Sequence, residues 1–386
     1  MNILMLVAED FCINDIIDSF ETYGNVVTRY HCSRDEMLEY DSFNVKAKIL
    51  DNETEVVFTM NYYPTIAKMC HEASKRYISW VYDNPRVHLF SYTVIYPTNT
   101  IYVFEKDVAE YFNAQGIETI KYLPLAANPL RLEEVILNSN KNKTAFSCPK
   151  DVSFVGSMYT EEHQLYSRMI SKGISEFTSG YLRGIMNAQK KLYGCDIITP
   201  LLSKDILSDM KNALPLEPDR DSAVSTEYLF AKYVIDRQIT AEERMDLLSL
   251  AGRNHDVHVF TVNSNMNIPN CVNHGPANSD NEAPAVYNSS KINLNITLRS
   301  IVSGIPLRAF EIMGSGGFLL TNYQSEFLDY FIPGEDFDFF ESPEDMIRKI
   351  DYYLEHDELR NKIAQNALNK IKKYHSFQNR VSEMRI

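Results

Sequence analysis

INLNITLRSIVSGIPLRAFEIMGSGGFLLTNY, residues 292–323, reads as strand, loop, helix, glycine turn and strand. Residues 292–296 and 317–321 carry the strand signals, with a helix between them. Ser303, Gly304 and Ile305 precede Pro306, a preferred first residue of a helix. The N–H groups of the loop and first helical turn then lack intrahelical partners and point outward. Gly304 permits close backbone approach, the helix dipole adds positive potential, and Arg299 and Arg308 offer planar forks. A pyrophosphate is the natural ligand of such a loop. Glu311, one turn into the helix, can accept from a pair of ribose hydroxyls. It lies between Phe310 and Ile312 on a helix expected to be largely buried, where a carboxylate needs a partner. The competing reading is an ordinary α/β unit in which Gly304 and the glycines at 314–317 only make turns.

Outward from this stretch the same alternation recurs. ILMLVA at residues 3–8 is followed by a helical pattern from Ile13 to Tyr23, and strand patterns return at 25–30, 55–60, 76–82, 100–104 and 119–123, with helices at 65–73 and 107–115. Alternating strands and helices predict an open, doubly wound sheet. PLAANP then punctuates the chain, which places a first domain at 1–130 and a polar linker at 131–150. VSFVG opens a second domain, 151–375, interrupted by a helical insert at 161–250. Strand and helix alternate again through 257–262, 292–296, 317–321, 344–354 and 358–375. The tail, 376–386, is expected to pack back on the first domain.

Composition narrows the function. With 386 residues and 45% hydrophobic residues, the chain has material for two cores. A net charge of -14 without a basic stripe argues against nucleic acid as a partner. Lys370, Lys372 and Lys373 form a local basic cluster that suits the last turns of a helix. MNILMLVAEDF lacks the positive start of a signal peptide, and no apolar stretch reaches the roughly 18 residues of a membrane span, so a cytoplasmic protein is expected. Six scattered cysteines, Cys12, Cys32, Cys70, Cys148, Cys195 and Cys271, show no metal-ligand spacing and read as reduced thiols.

Two stretches carry a family likeness. KINLNITLRSIVSGIPLRAFEIMGSGGFLLTNY and FIPGEDFDFFESPEDMIRKIDYYL resemble the carboxy-terminal domain of the CgeB-like (spore maturation protein) glycosyltransferases, relatives of family 4 enzymes. FTMNYYPTIAKMC, ISWVYDNP and YLPLAAN resemble the domain found before it. The resemblance implies a GT-B fold: two Rossmann-like domains facing a cleft, here with a helical insertion in the second. It also implies a nucleotide-diphosphate sugar, UDP-like, held by the second domain as substrate, with the acceptor against the first. The expected reaction is sugar transfer to an acceptor hydroxyl with retention. A glycan, a lipid-linked glycan and a protein are all open as acceptors.

Family 4 enzymes often carry two glutamates eight positions apart; Glu311 matches the second, which contacts ribose, whereas the first is Ser303. Relatives also place Arg and Lys after the first strand of the second domain, where this chain has Ser157 and Met158. Arg299 and Arg308 would then supply the charge. In the first domain, WVYDNP occupies the place of a reaction-centre histidine, which makes Asp83 the catalytic candidate, either stabilising positive charge on the sugar or taking the acceptor's proton. Asp83 reads equally as a turn residue before Asn84-Pro85. Asn61, Glu9, Asp10 and His88 are further acceptor-side candidates, and His274-Gly275 follows a strand whose backbone can read a nucleobase edge. Asp336 and Asp338 are placed in an acidic surface loop without metal geometry, so no metal or other cofactor is expected. Two rival readings share these residues: a GT-B isomerase or epimerase acting on the donor alone, and a degenerate module that binds a nucleotide sugar without turning it over.

Overall fold

The computed structural model describes residues 1–8, 12–40, 42–160 and 164–384, and the chain divides into two compact units. The first gathers Met1–Ala126, Pro218–Val224 and His375–Ile386. Its parallel strands are β1 (Asn2–Val7), β2 (Val26–His31), β3 (Val56–Met60), β4 (Arg76–Val81), β5 (Asn99–Val103) and β6 (Ile120–Tyr122), in the order β2-β1-β3-β4-β5-β6. β1, β3 and β4 are buried almost throughout, which is why they read as continuous apolar runs. Two short helices, Arg34–Leu38 and Phe43–Ile49, fall where no element was expected. A signal for the first was present in Ser33 and Glu36, which form a reciprocal capping box.

The last helix, Phe377–Glu383, belongs to this unit. Phe377 meets the Trp80 ring edge-on at 6.0 Å, and Arg380 Nε donates to the Pro124 carbonyl at 2.9 Å. The segment Pro218–Val224 was not foreseen here, because it lies in the middle of the helical insert. It joins the first unit by backbone bonds, Ala223 N–H to Phe90 O at 2.8 Å and Tyr92 N–H to Asp221 O at 3.0 Å.

The second unit spans Ala127–Glu217 and Ser225–Tyr374. Its strands are β7 (Lys150–Val155), β8 (Val257–Phe260), β9 (Val272–Asn273), β10 (Ser290–Asn295), β11 (Leu319–Asn322) and β12 (Asp338–Phe340). The order β12-β11-β10-β7-β8-β9 places the chain-first strand in the middle, so the sheet grows outward in both directions from the β7–β10 pair. Ligands of such sheets bind beyond the carboxyl ends of the strands at this reversal.

Part of the expected linker is instead a helix, Pro129–Asn142, capped by Asn128, with Leu132 buried. A narrow apolar face in a polar sequence left little periodic signal. The insert is helical, and Met169, Leu182, Met210, Phe230 and Ile235 form a core of their own. Asp336 and Asp338 are not in an exposed acidic loop: both are buried, Asp336 paired with Lys370 and Asp338 with Lys349 at 2.7 Å and the Tyr353 hydroxyl at 2.7 Å. Two lysines and a tyrosine on two later helices turn that acidic stretch into a packed one. Two parallel six-stranded sheets with flanking helices, in series, are the GT-B architecture the sequence led us to expect.

Candidate active site

At the reversal of the second sheet, Gly156 directly follows β7 and β10 ends in Asn295. Arg308, in the first turn of the helix Leu307–Gly314, reaches both. Its Nη1 donates to Asn295 Oδ1 at 3.0 Å, and its guanidinium lies 5.6 Å from the Phe154 ring centroid. It is so close to Gly156 that a Cβ there would be 2.7 Å from Nη2. Asn295 is fully buried, and its amide nitrogen donates to Thr297 Oγ1 at 3.0 Å and Thr321 Oγ1 at 2.9 Å, which turns its oxygen toward Arg308. A positive charge is thus brought to the end of the first strand of this unit by a later helix.

The loop before that helix leaves backbone N–H groups without partners: among the described residues none accepts from those of Gly304 or Ile305, and no side chain caps the helix. Pro306 is the cap residue, one position earlier than expected, and Leu307 opens the helix. Ser303 is buried, and its hydroxyl donates to Glu326 at 2.7 Å. Glu311 is 5% exposed; burial, then the Glu311 charge, raises the pKa of the Tyr287 phenol. The glycine turn after the helix is a packing device. A Cβ on Gly314 would meet Leu132 at 2.9 Å, and one on Gly317 would meet the Tyr287 carbonyl at 2.6 Å.

Arg299 departs from its expected role. Its fork is committed to Glu243 and to the carbonyls of Leu192 at 2.8 Å and Lys190 at 3.1 Å, while its plane lies 4.0 Å from the Tyr193 ring centroid. Both partners of the ion pair are buried. Arg299 therefore ties the helical insert to the sheet, and Arg308 alone of the two arginines borders the Gly156–Asn295 edge. His274 spends its backbone N–H on Val259 O at 2.9 Å, and Gly275 N–H bonds to Asn273 Oδ1 at 3.0 Å. That leaves the carbonyls there and the His274 ring, which stacks on Phe260 at 4.7 Å. Burial, then His258 beside it, lowers the pKa of His274.

In the first unit Asn61 and Asp83 meet. Asn61 stands just past β3 with φ of 64°, a left-handed conformation that asparagine tolerates better than most residues. Its amide oxygen accepts from Tyr82 N–H at 3.0 Å and Asp83 N–H at 3.1 Å, and its amide nitrogen donates to Asp83 Oδ2 at 2.9 Å. Arg86 stands 3.8 Å from the same oxygen. The Asp83 side chain is 54% exposed, so this is a presented carboxylate held by two neighbours. His88 is mostly buried; desolvation, then the Arg86 charge, lowers its pKa to about 4. A neutral imidazole of that kind is a weak general base near neutrality. Glu9 and Asp10 lie outside the described residues.

Several residues of the site gave no sequence signal. Asn295 and Thr321 look like ordinary polar interruptions of strands, and Arg244 sits mid-helix. Arg244 is buried, bonding the Ile296 carbonyl through Nε at 3.0 Å and the Ser157 carbonyl, so it joins the ends of β7 and β10. A basic residue on an otherwise buried helix face was the one available clue.

Residues 242–385 match a family model described as Glycosyl transferase-like. No curated protein matches the chain. Among solved structures it is similar to HepE of Anabaena in complex with UDP-glucose, with 9% identity, 100% of this chain and 98% of that chain covered, and a TM-score of 0.56. Sucrose-phosphate synthase of Thermosynechococcus elongatus has 8% identity, covers 100% and 97% of the two chains, and has a TM-score of 0.56. A UDP-forming trehalose-phosphate synthase of Burkholderia xenovorans has 11% identity, covers 100% and 98%, and has a TM-score of 0.50. At these identities the likeness is one of fold. No described helix is long and apolar enough to cross a membrane.

Proposed function

We propose that this chain is a glycosyltransferase that moves a sugar from a UDP-like nucleotide-diphosphate donor to an acceptor hydroxyl. The observation that carries this reading is Arg308 at the sheet reversal, beside a loop whose Gly304 and Ile305 N–H groups are unengaged among the described residues. The fold of structures solved with UDP-glucose, or named as UDP-forming, supports it. Narrower kinship with CgeB-like and family 4 enzymes is part of the same proposal.

As the donor's glycosidic bond breaks, negative charge grows on the departing diphosphate. The loop N–H groups, the helix dipole and Arg308 are fixed dipoles and charge that meet it without reorganisation. In this mechanism they take the part a divalent ion plays elsewhere, so transfer proceeds without added metal. Glu311 binds the ribose hydroxyls. Asp83 acts on the reacting sugar or the acceptor hydroxyl, and transfer retains the anomeric configuration.

The test is a thermal-shift panel of nucleoside diphosphates with donor-hydrolysis assays in chelator. Glu311→Ala should weaken donor binding, whereas Asp83→Ala should abolish turnover and leave donor binding intact. No binding and no hydrolysis by the wild type would remove the reading, and the reverse pattern would remove the role assignment. Turnover of donor without acceptor into a rearranged nucleotide sugar would point to an isomerase.

A further inference from the structure

The chain leaving β11 bonds back to the anion loop through every second residue. Asn322 Oδ1 accepts from Thr297 N–H at 2.7 Å. Gln324 Nε2 donates to Ile301 O at 3.1 Å and to Gly304 O at 3.3 Å. Glu326 N–H donates to Ser303 O at 3.2 Å, and its carboxylate accepts from the Ser303 hydroxyl at 2.7 Å. All three residues are buried. Asn322 ends β11, and Glu326 lies in the turn that opens the short helix Phe327–Tyr330.

The carbonyls caught in this way determine where the amides point. In a planar trans peptide, the C=O of one residue and the N–H of the next point in opposite directions. Glu326 holds Ser303 O, which turns the Gly304 N–H away from the brace. Gln324 holds Gly304 O, which does the same to the Ile305 N–H. Those are the two N–H groups with no partner among the described residues. A loop rich in small and flexible positions would otherwise sample many peptide orientations, and the donor would have to select one of them.

We propose that Gln324 and Glu326 are positioning residues that aim the Gly304 and Ile305 N–H groups at the donor's diphosphate before it binds. The inference rests on the donor reading above and assigns to 322–326 the selectivity for a diphosphate.

Isothermal titration with UDP and UMP, or the matching pair for whichever base the wild type prefers, tests it on the full chain. Gln324→Met keeps length and removes both carbonyl bonds; Glu326→Ala removes the Ser303 hydroxyl contact and leaves the backbone bond to Ser303 O in place. Each should weaken UDP by about tenfold or more while changing UMP much less, so that the preference for diphosphate collapses. Glu326→Gln, which retains an acceptor for Ser303, should stay within about threefold of wild type. Equal losses for UDP and UMP, or unchanged UDP affinity in both Gln324→Met and Glu326→Ala, overturn the proposal. If Gln324→Met does not fold, the ratio measured for Glu326→Ala against Glu326→Gln decides. A wild type that binds no nucleoside diphosphate sinks the donor reading instead, a result distinct from one that binds UDP and whose variants keep the ratio.

Discussion

Arg308 rests its guanidinium on the bare backbone of Gly156, where a Cβ would lie 2.7 Å from Nη2 and 3.0 Å from Cζ. The obstacle to a larger residue is the far end of a flexible side chain, but the backbone φ of 156° is one that L side chains rarely adopt. Gly156→Ala should therefore lower the thermal midpoint as well as push the guanidinium off the end of β7. Arg308→Lys keeps charge but loses the planar fork, and should weaken nucleoside diphosphate binding by about 10- to 100-fold. Calorimetric titration of both variants checks this, and wild-type affinity in Arg308→Lys would exclude a role for that fork.

Asn61 carries two loads at once, a left-handed backbone and the N–H groups of Tyr82 and Asp83. Asn61→Gly keeps the backbone and drops the hydrogen bonds, whereas Asn61→Ala loses both. We expect costs of about 1–3 kcal/mol for Asn61→Gly, with Asn61→Ala roughly 1 kcal/mol worse, from urea denaturation. If Asn61 also holds Asp83 for chemistry, Asn61→Gly lowers kcat at temperatures where it is fully folded.

The Arg299–Glu243 pair is buried on both sides. Removing one partner leaves the other charge stranded, so Glu243→Ala should cost about 3–5 kcal/mol, while replacing both with methionine should recover most of that. Chemical denaturation of the single and double variants provides the comparison. A specific loss of UDP affinity in the folded double variant would return Arg299 to the donor site.

His88 gives stability a pH dependence. Its pKa is lowered from 6.5 to about 4, so the unfolded chain takes up a proton that the folded chain refuses. The stabilisation is complete above about 6.5 and is lost as pH falls toward 4. Asp236 has the opposite sign: burial raises its carboxyl to about 6, and its contribution fades as pH rises toward that value. Comparing urea midpoints of wild type and His88→Gln isolates the histidine. The variant should show a shallower fall below pH 6.5, and an identical slope would refute this account.

The first sheet was legible because a strand buried on both faces is a local apolar run, and β1, β3 and β4 are such runs. The anion loop was legible for a related reason: Ser303, Gly304, Pro306, Arg308 and Glu311 lie within one turn and its helix. The missed elements had weak or mixed local signals. The Pro129–Asn142 helix buries only Pro129, Leu132 and Ser139 along its length. Pro218–Val224 joins the first unit through backbone bonds, to which side-chain patterns are blind.

By itself the sequence determined the fold class, the helical insert and the loop that holds the candidate anion site, since each follows from periodicity or from neighbours along the chain. Tertiary structure decided which of two arginines stands free of an ion pair beside the sheet reversal, among the described residues. Arg299 and Arg308 are alike in sequence, yet Glu243, 56 positions from Arg299, claims one, while Gly156 leaves room for the other. Tertiary structure likewise brought Gln324 and Glu326 back to the loop from beyond a strand. Hydrogen bonds and ion pairs depend on atoms meeting within about 3 Å, and for residues far apart in the chain only folding decides which atoms meet.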